Sequence, residues 1–201
     1  FNTNSLAGQG VKAFFKDENG VLWIGTENNG LDNYDSKQKT FKHFRHNPED
    51  KTSISDNSIY SMAKDKSGRL WIGTFGGGIN IFDTQTEKSK RLSIKSIFPY
   101  GKDSDLIKTV YVDHDGELWV GTETTGLFKY DFKTNKLVEF KLFHENTNIH
   151  SVYHDSKGRI WIATFGGGLY RYNKKTKELR LYQKEFNCSD CISSPVIYSI
   201  N

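Results

Sequence analysis

Tryptophan occurs at four places in this chain of 201 residues, and each time it stands in the same sentence. The frames read DENGVLWIGT, DKSGRLWIGT, DHDGELWVGT and DSKGRIWIAT, placing Trp23, Trp71, Trp119 and Trp161 at intervals of 48, 48 and 42 residues. Twelve positions before each tryptophan lies an apolar residue, Val11, Ile59, Ile107 or Ile149, and the frame restarts at Ile197. A sentence recurring at that interval confines the chain to repeat architectures before any single residue is weighed as a site.

Each repeat reads as four strands. The first, VKAFFKD, IYSMAKD, IKTVYVD or IHSVYHD, is rich in β-branched and aromatic residues and closes on an aspartate. That aspartate opens a tight turn, and Gly20, Gly68, Gly116 and Gly158 supply the positive φ that such a turn needs. The second strand, with its LWIGT-type core, is nearly continuous apolar sequence and should be covered on both faces. After a connection containing Gly30, Gly78, Gly126 or Gly168, a third strand alternates apolar and polar residues, and a more polar fourth strand suits an outer edge. Four antiparallel strands per 42 to 48 residues describe one blade of an all-β propeller. The blades fall at about 11–58, 59–106, 107–148 and 149–196, with 197–201 opening a fifth, so that 1–201 is a partial β-propeller. A sandwich would not restart the same four-strand sentence, and a β-helix would need a shorter repeat.

Composition narrows the function. The 28 basic and 24 acidic residues are interspersed, without the basic blocks that nucleic acid or a membrane surface would require. No stretch approaches the roughly 20 apolar residues of a membrane span. Because the chain begins at Phe1, any leader or anchor is expected outside it. Cys188 and Cys191 supply two of the four ligands of a structural zinc, which leaves a local disulfide or two free thiols. No metal or cofactor is expected.

The string D-x-x-G-x-[LI]-W-[IV]-[GA]-T followed by G-[LI]-x-x-[YF]-[DN] resembles the two-component regulator propeller repeat, with Ala163 as a mild departure. The resemblance implies a periplasmic sensor region of a hybrid two-component system, in which a propeller of about seven blades senses oligosaccharides and signals across the membrane to a histidine kinase. It implies no enzyme activity in this segment. Four repeats would then be part of a ring, whose bare ends call for closure, a second propeller or a second copy of the chain.

Alternating strands put the aspartate–glycine turns on one side of the disc. The connections after each GT pair and the long links between blades lie on the other, where binding loops usually gather. On that side the second position of the inner strand varies: Lys12, Tyr60, Lys108 and His150. The TFGGG copies add Phe75 and Phe165. These six are the candidate ligand-binding residues, the aromatics for stacking on a sugar and the lysines for an acidic one. The glycines of TFGGG fit either a tight connection or a close approach of sugar to backbone. The recurring aspartates Asp17, Asp65, Asp113 and Asp155 read as turn residues before catalytic ones. His150 and His154 share one side of a strand without a third metal ligand. A protein-interaction scaffold is the alternative function, and a carbohydrate-active enzyme propeller comes third.

Overall fold

A computed structural model describes residues 3–94, 105–144, 147–184 and 191–200. Residues 95–104 and 185–190, within two of the long links between blades, therefore lie outside the described residues. Among those described, the chain forms strands and turns and no helix. The first sheet holds β1 (Val11–Lys16), β2 (Leu22–Thr26), β3 (Leu31–Asp35) and β4 (Thr40–Phe44); the second β5 (Ile59–Lys64), β6 (Leu70–Thr74), β7 (Ile79–Asp83) and β8 (Lys88–Leu92). The third holds β9 (Ile107–Val112), β10 (Leu118–Thr122), β11 (Leu127–Asp131) and β12 (Lys136–Phe140); the fourth β13 (Ile149–His154), β14 (Arg159–Thr164), β15 (Leu169–Asn173) and β16 (Leu179–Tyr182). Each sheet is antiparallel and in sequence order, so each is one propeller blade. The inner strands pack in succession, β1 on β5, β5 on β9 and β9 on β13, while β1 and β13 make no comparable contact. The described residues form an open arc of four blades.

The core sits between blades. Three apolar clusters fill the three interfaces: Trp23 with Ile59 and Phe82, Trp71 with Ile107 and Tyr130, and Trp119 with Ile149 and Tyr170. Each tryptophan thus packs forward onto the following blade. Glycine in the GT pair makes room for this contact. A Cβ on Gly25, Gly73 or Gly121 would stand 2.5, 2.6 or 2.5 Å from Cγ2 of Ile59, Ile107 or Ile149. Cover on both faces, expected of the LWIGT-type strands, fails at one end of the arc, and the inner strand is bare at the other. Trp161 is only partly buried, because no blade follows it among the described residues. On β1 Phe14 is 76% exposed and Val11 44%, because no blade precedes it there.

The repeated aspartate does more than turn the chain. Oδ1 of Asp65 accepts the backbone N–H of Ser67 at 2.9 Å and of Arg69 at 3.1 Å, while Oδ2 accepts the indole N–H of Trp71 at 2.8 Å. Asp113 takes Trp119 at 3.0 Å and Asp155 takes Trp161 at 2.7 Å in the same way. The D…W spacing is therefore a clamp between turn and core. The threonine of the GT pair is a second clamp: Oγ1 of Thr26, Thr74, Thr122 and Thr164 donates to the carbonyl of Gly30, Gly78, Gly126 and Gly168 at 2.6–2.9 Å.

Burial alone would raise the carboxylates of Asp65, Asp113 and Asp155, but the hydrogen bonds outweigh it and hold all three below the usual range. The chief donors are Ser67 and Trp71 for Asp65, Lys174 and Trp119 for Asp113, and Trp161 and Arg159 for Asp155. A carboxylate depressed in the folded state stabilises the protein above its unfolded pKa of about 4, and that contribution is lost as pH falls below it. Urea midpoints should therefore decline between about pH 5 and about pH 3, and less steeply in Asp65→Asn, which has one titrating group fewer. An unchanged slope in that variant would show that this clamp is not linked to folding.

Candidate ligand-binding site

The four varied residues of the inner strands share a backbone cause. In every blade the register between first and second strand shifts at the same place: Val11 faces Thr26 and Ala13 faces Gly25, Ile59 faces Thr74 and Ser61 faces Gly73, and so on through Ile107 and Ile149. The residue left out of the pairing is Lys12, Tyr60, Lys108 or His150. A bulge turns a side chain out of the regular pleat, and bulges are common beside binding sites.

The residue after each GT pair is pinned beside the bulge. The N–H groups of Glu27, Phe75, Glu123 and Phe165 donate to the carbonyls of Gly10, Ser58, Leu106 and Asn148 at 2.7, 2.9, 2.9 and 3.0 Å. Each blade therefore presents a pair at one mouth of the arc, and the pairs alternate in chemistry. Lys12 and Glu27 form an ion pair at 3.0 Å, and Lys108 and Glu123 at 2.6 Å. Tyr60 stacks on Phe75 at 4.7 Å and His150 on Phe165 at 5.7 Å. All six residues expected from the sequence come to this mouth. Glu27, Glu123 and Tyr198 join them and were not anticipated. Tyr198 occupies the second position of the frame restarting at Ile197, with its ring 5.3 Å from His150 and 5.9 Å from Phe165.

Two expectations change with this geometry. The lysines do not offer free positive charge to an acidic sugar, because Glu27 and Glu123 balance them. Burial, followed by the nearby Lys108 ammonium, also pushes the His150 imidazole below its ordinary value, which favours its neutral form. The TFGGG glycines serve the fold: Gly76 and Gly78 give their N–H groups to the carbonyl of Asp105 at 3.2 and 3.1 Å, and Gly166 and Gly168 to that of Pro195 at 3.1 Å each. The isolated bridges Phe75–Leu106 and Phe165–Val196 belong to the same contact. Both copies of the nine-residue string receive the lead-in of the next repeat through the same pair of hydrogen bonds and the same bridge.

On the opposite side, Asp113, Asp115 and His154 come close enough to suggest a cation site. Nζ of Lys174 already lies 2.7 Å from Asp113 and 2.5 Å from Asp115, so blade 4 supplies its own cation to blade 3. Cys191 is disulfide-bonded, and Cys188, the only other cysteine, lies outside the described residues.

Comparison with known proteins places these features. The family model described as two component regulator propeller matches residues 5–28, 53–76, 101–124 and 144–166, one match per blade. The extracellular domain of a hybrid two-component system from B. thetaiotaomicron superimposes with a TM-score of 0.75 at 25% identity, over 94% of this chain and 26% of that one. The extracellular domain of a one-component system from the same organism gives 0.69 at 21% identity, over 88% and 24%. Virginiamycin B lyase from Staphylococcus aureus gives 0.66 at 16% identity, over 88% and 56%, a likeness of fold alone. The chain thus spans about a quarter of the length of the two B. thetaiotaomicron domains. No curated protein matches it. No helix among the described residues is long and apolar enough to cross a membrane.

Proposed function

The chain carries four two-component regulator propeller repeats, and from that premise we propose that it is a periplasmic, non-catalytic sensing segment of a hybrid two-component system. It binds a polysaccharide-derived oligosaccharide, or relays that binding, to control transcription of utilisation genes through a histidine kinase elsewhere in the protein. The observation that carries this reading is the mouth: four bulged side chains and their partners, varied in chemistry, on a scaffold whose other repeated residues are committed to clamps and core. Aromatic faces beside hydrogen-bonding groups suit a sugar, which has an apolar C–H face and a polar rim.

Thermal shift of the full sensor region against uncharged and acidic oligosaccharides tests this. Saturation at about 100 times Kd adds about 2.7 kcal/mol to the folded state, so at least one saccharide should raise the melting temperature measurably. No shift across the panel would contradict the reading.

The bare face of β1 favours a second partner. Phe14 and Val11 expose apolar surface that in the other blades is covered by a neighbour, and the occupant we propose for the 201-residue chain is another copy of itself. The 201-residue chain alone should self-associate with rising concentration in sedimentation experiments, and Phe14→Glu should weaken that association. A monodisperse monomer at all concentrations would count against it.

A further inference from the structure

Blade 1 is the exception to the aspartate–tryptophan clamp. Asp17 spends Oδ1 on its turn like its counterparts, accepting the backbone N–H groups of Asn19 and Val21 at 2.9 Å each. Among the described residues, however, nothing bonds its Oδ2, and nothing accepts the indole N–H of Trp23. In the other blades Oδ2 holds the indole and a cation together: Arg69 on Asp65 at 2.8 Å, Lys174 on Asp113 at 2.7 Å and Arg159 on Asp155 at 2.6 Å. A cation also lies over each of those tryptophan rings, Arg69 at 5.7 Å, Lys129 at 4.9 Å and Arg159 at 5.3 Å.

The sequence accounts for what blade 1 lacks. Val21 takes the place of Arg69 and Arg159 in the frame, Asn33 faces Trp23 where Lys129 faces Trp119, and Thr84 of the following blade stands where Lys174 stands. A depression of about 520 Å³ results between blades 1 and 2, bordered by these three residues, Asp17, Trp23 and Asp83. The cations beside it are already paired, Lys64 with Glu18 at 2.7 Å and Arg69 with Asp65. Asp83 gives Oδ1 to the N–H groups of Gln85 and Thr86 and has no ion pair among the described residues. Trp23 is only 3% exposed, yet its unpartnered N–H and Oδ2 of Asp17 are not shut off from solvent. Both walls are described blades, and the cleft lies on the side of blade 1 away from its bare face.

From these observations we infer that the cleft is a docking site for an arginine side chain of another polypeptide, its guanidinium on Oδ2 of Asp17 beside the Trp23 indole. Two unpaired carboxylates, Asp17 and Asp83, give the cleft the complementary charge. A guanidinium suits it better than an ammonium. Arg69 and Arg159 each serve carboxylate and ring with one group, whereas blade 3 uses two lysines for the same two places. Backbone carbonyls of the same polypeptide are acceptors for the indole N–H, which no side chain of this protein satisfies. The inference is independent of the saccharide reading at the mouth.

The test is a titration of the nitrogen-15-labelled 201-residue chain with the peptide acetyl-Gly-Arg-Gly-amide, followed at its four indole N–H signals. The Trp23 signal should move with dose and saturate. Those of Trp71, Trp119 and Trp161, whose donors are bonded inside, should stay in place and report an intact fold. The same peptide with citrulline, which has the shape of arginine without its charge, should bind at least about fivefold more weakly, and Asp17→Asn should weaken the arginine peptide as much. Val21→Arg supplies a guanidinium four residues after the aspartate, as in blades 2 and 4, and should abolish the response. A Trp23 signal that ignores the arginine peptide overturns the site, and equal binding of the citrulline peptide overturns its charge. An undiminished response in Val21→Arg puts the peptide elsewhere and overturns the site as well.

Discussion

Replacing Trp71 with alanine is expected to destabilise the sensor region by about 3–5 kcal/mol, the usual cost of removing a buried tryptophan. Trp71 is fully buried at the junction of blades 2 and 3. Its ring meets Tyr130 edge-on at 4.7 Å and Phe132 at 6.1 Å, with the Arg69 guanidinium 5.7 Å above it. Alanine there opens a cavity among rigid strands and takes a donor from Oδ2 of Asp65, which keeps only Nε of Arg69 at 2.8 Å. Trp161 makes the same indole bond and has the Arg159 guanidinium 5.3 Å over its ring, but it is partly exposed, and the aromatic ring it stacks on among the described residues is Tyr182 of its own blade, at 5.9 Å. Trp161→Ala should therefore cost clearly less in denaturant unfolding followed by circular dichroism. Equal losses at the two positions would mean that the forward contact onto the next blade contributes little.

A second large effect is expected from Gly121→Val. Even the first added carbon would sit 2.5 Å from Cγ2 of Ile149 and 2.6 Å from Cγ2 of Thr109, and neither strand has room to retreat. Overpacking of this kind costs about 1–3 kcal/mol, and more where the backbone must shift. Shortening the opposing side chain should recover part of the loss. The double variant Gly121→Val with Ile149→Ala should be more stable than the sum of the two single effects, a coupling that strict additivity would refute. The same contact explains Ala163, the one departure from glycine in the frame. The residue that would press on it is Ile197, which is only partly buried, so a methyl group is tolerated there.

The blades were legible in the sequence because the signals that set them are local and repeated. The alternation of the third strand, the apolar second strand and the aspartate–glycine turn each recur four times, and the structure has strands and turns where they fall. The forward packing of tryptophan was partly legible. What sequence could not give is how the end blades fare, since burial of Trp161 and β1 depends on neighbours that strand periodicity does not describe. At the mouth, Lys12, Tyr60, Lys108 and His150 could be singled out because they vary within a fixed frame. Their bulges could not, since no glycine or proline marks them. Glu27 and Glu123 were missed although a signal existed: the residue after the GT pair reads Glu, Phe, Glu, Phe where the bulge reads Lys, Tyr, Lys, His. That pairing of opposite charge with charge and ring with ring predicts the contacts, and it withdraws the lysines from acidic sugars.

The central claim is that the bulged mouth of these blades, and not the clamped turn face, is where ligand is sensed. Hydrogen exchange of the full sensor region, with and without a saccharide that raises its melting temperature, tests it most directly. The account predicts slowed exchange at the amides of the connections 26–30, 74–78, 122–126 and 164–168, with the turns at 17–20, 65–68, 113–116 and 155–158 unchanged. Protection confined to those turns, or found only outside these four blades, would contradict it.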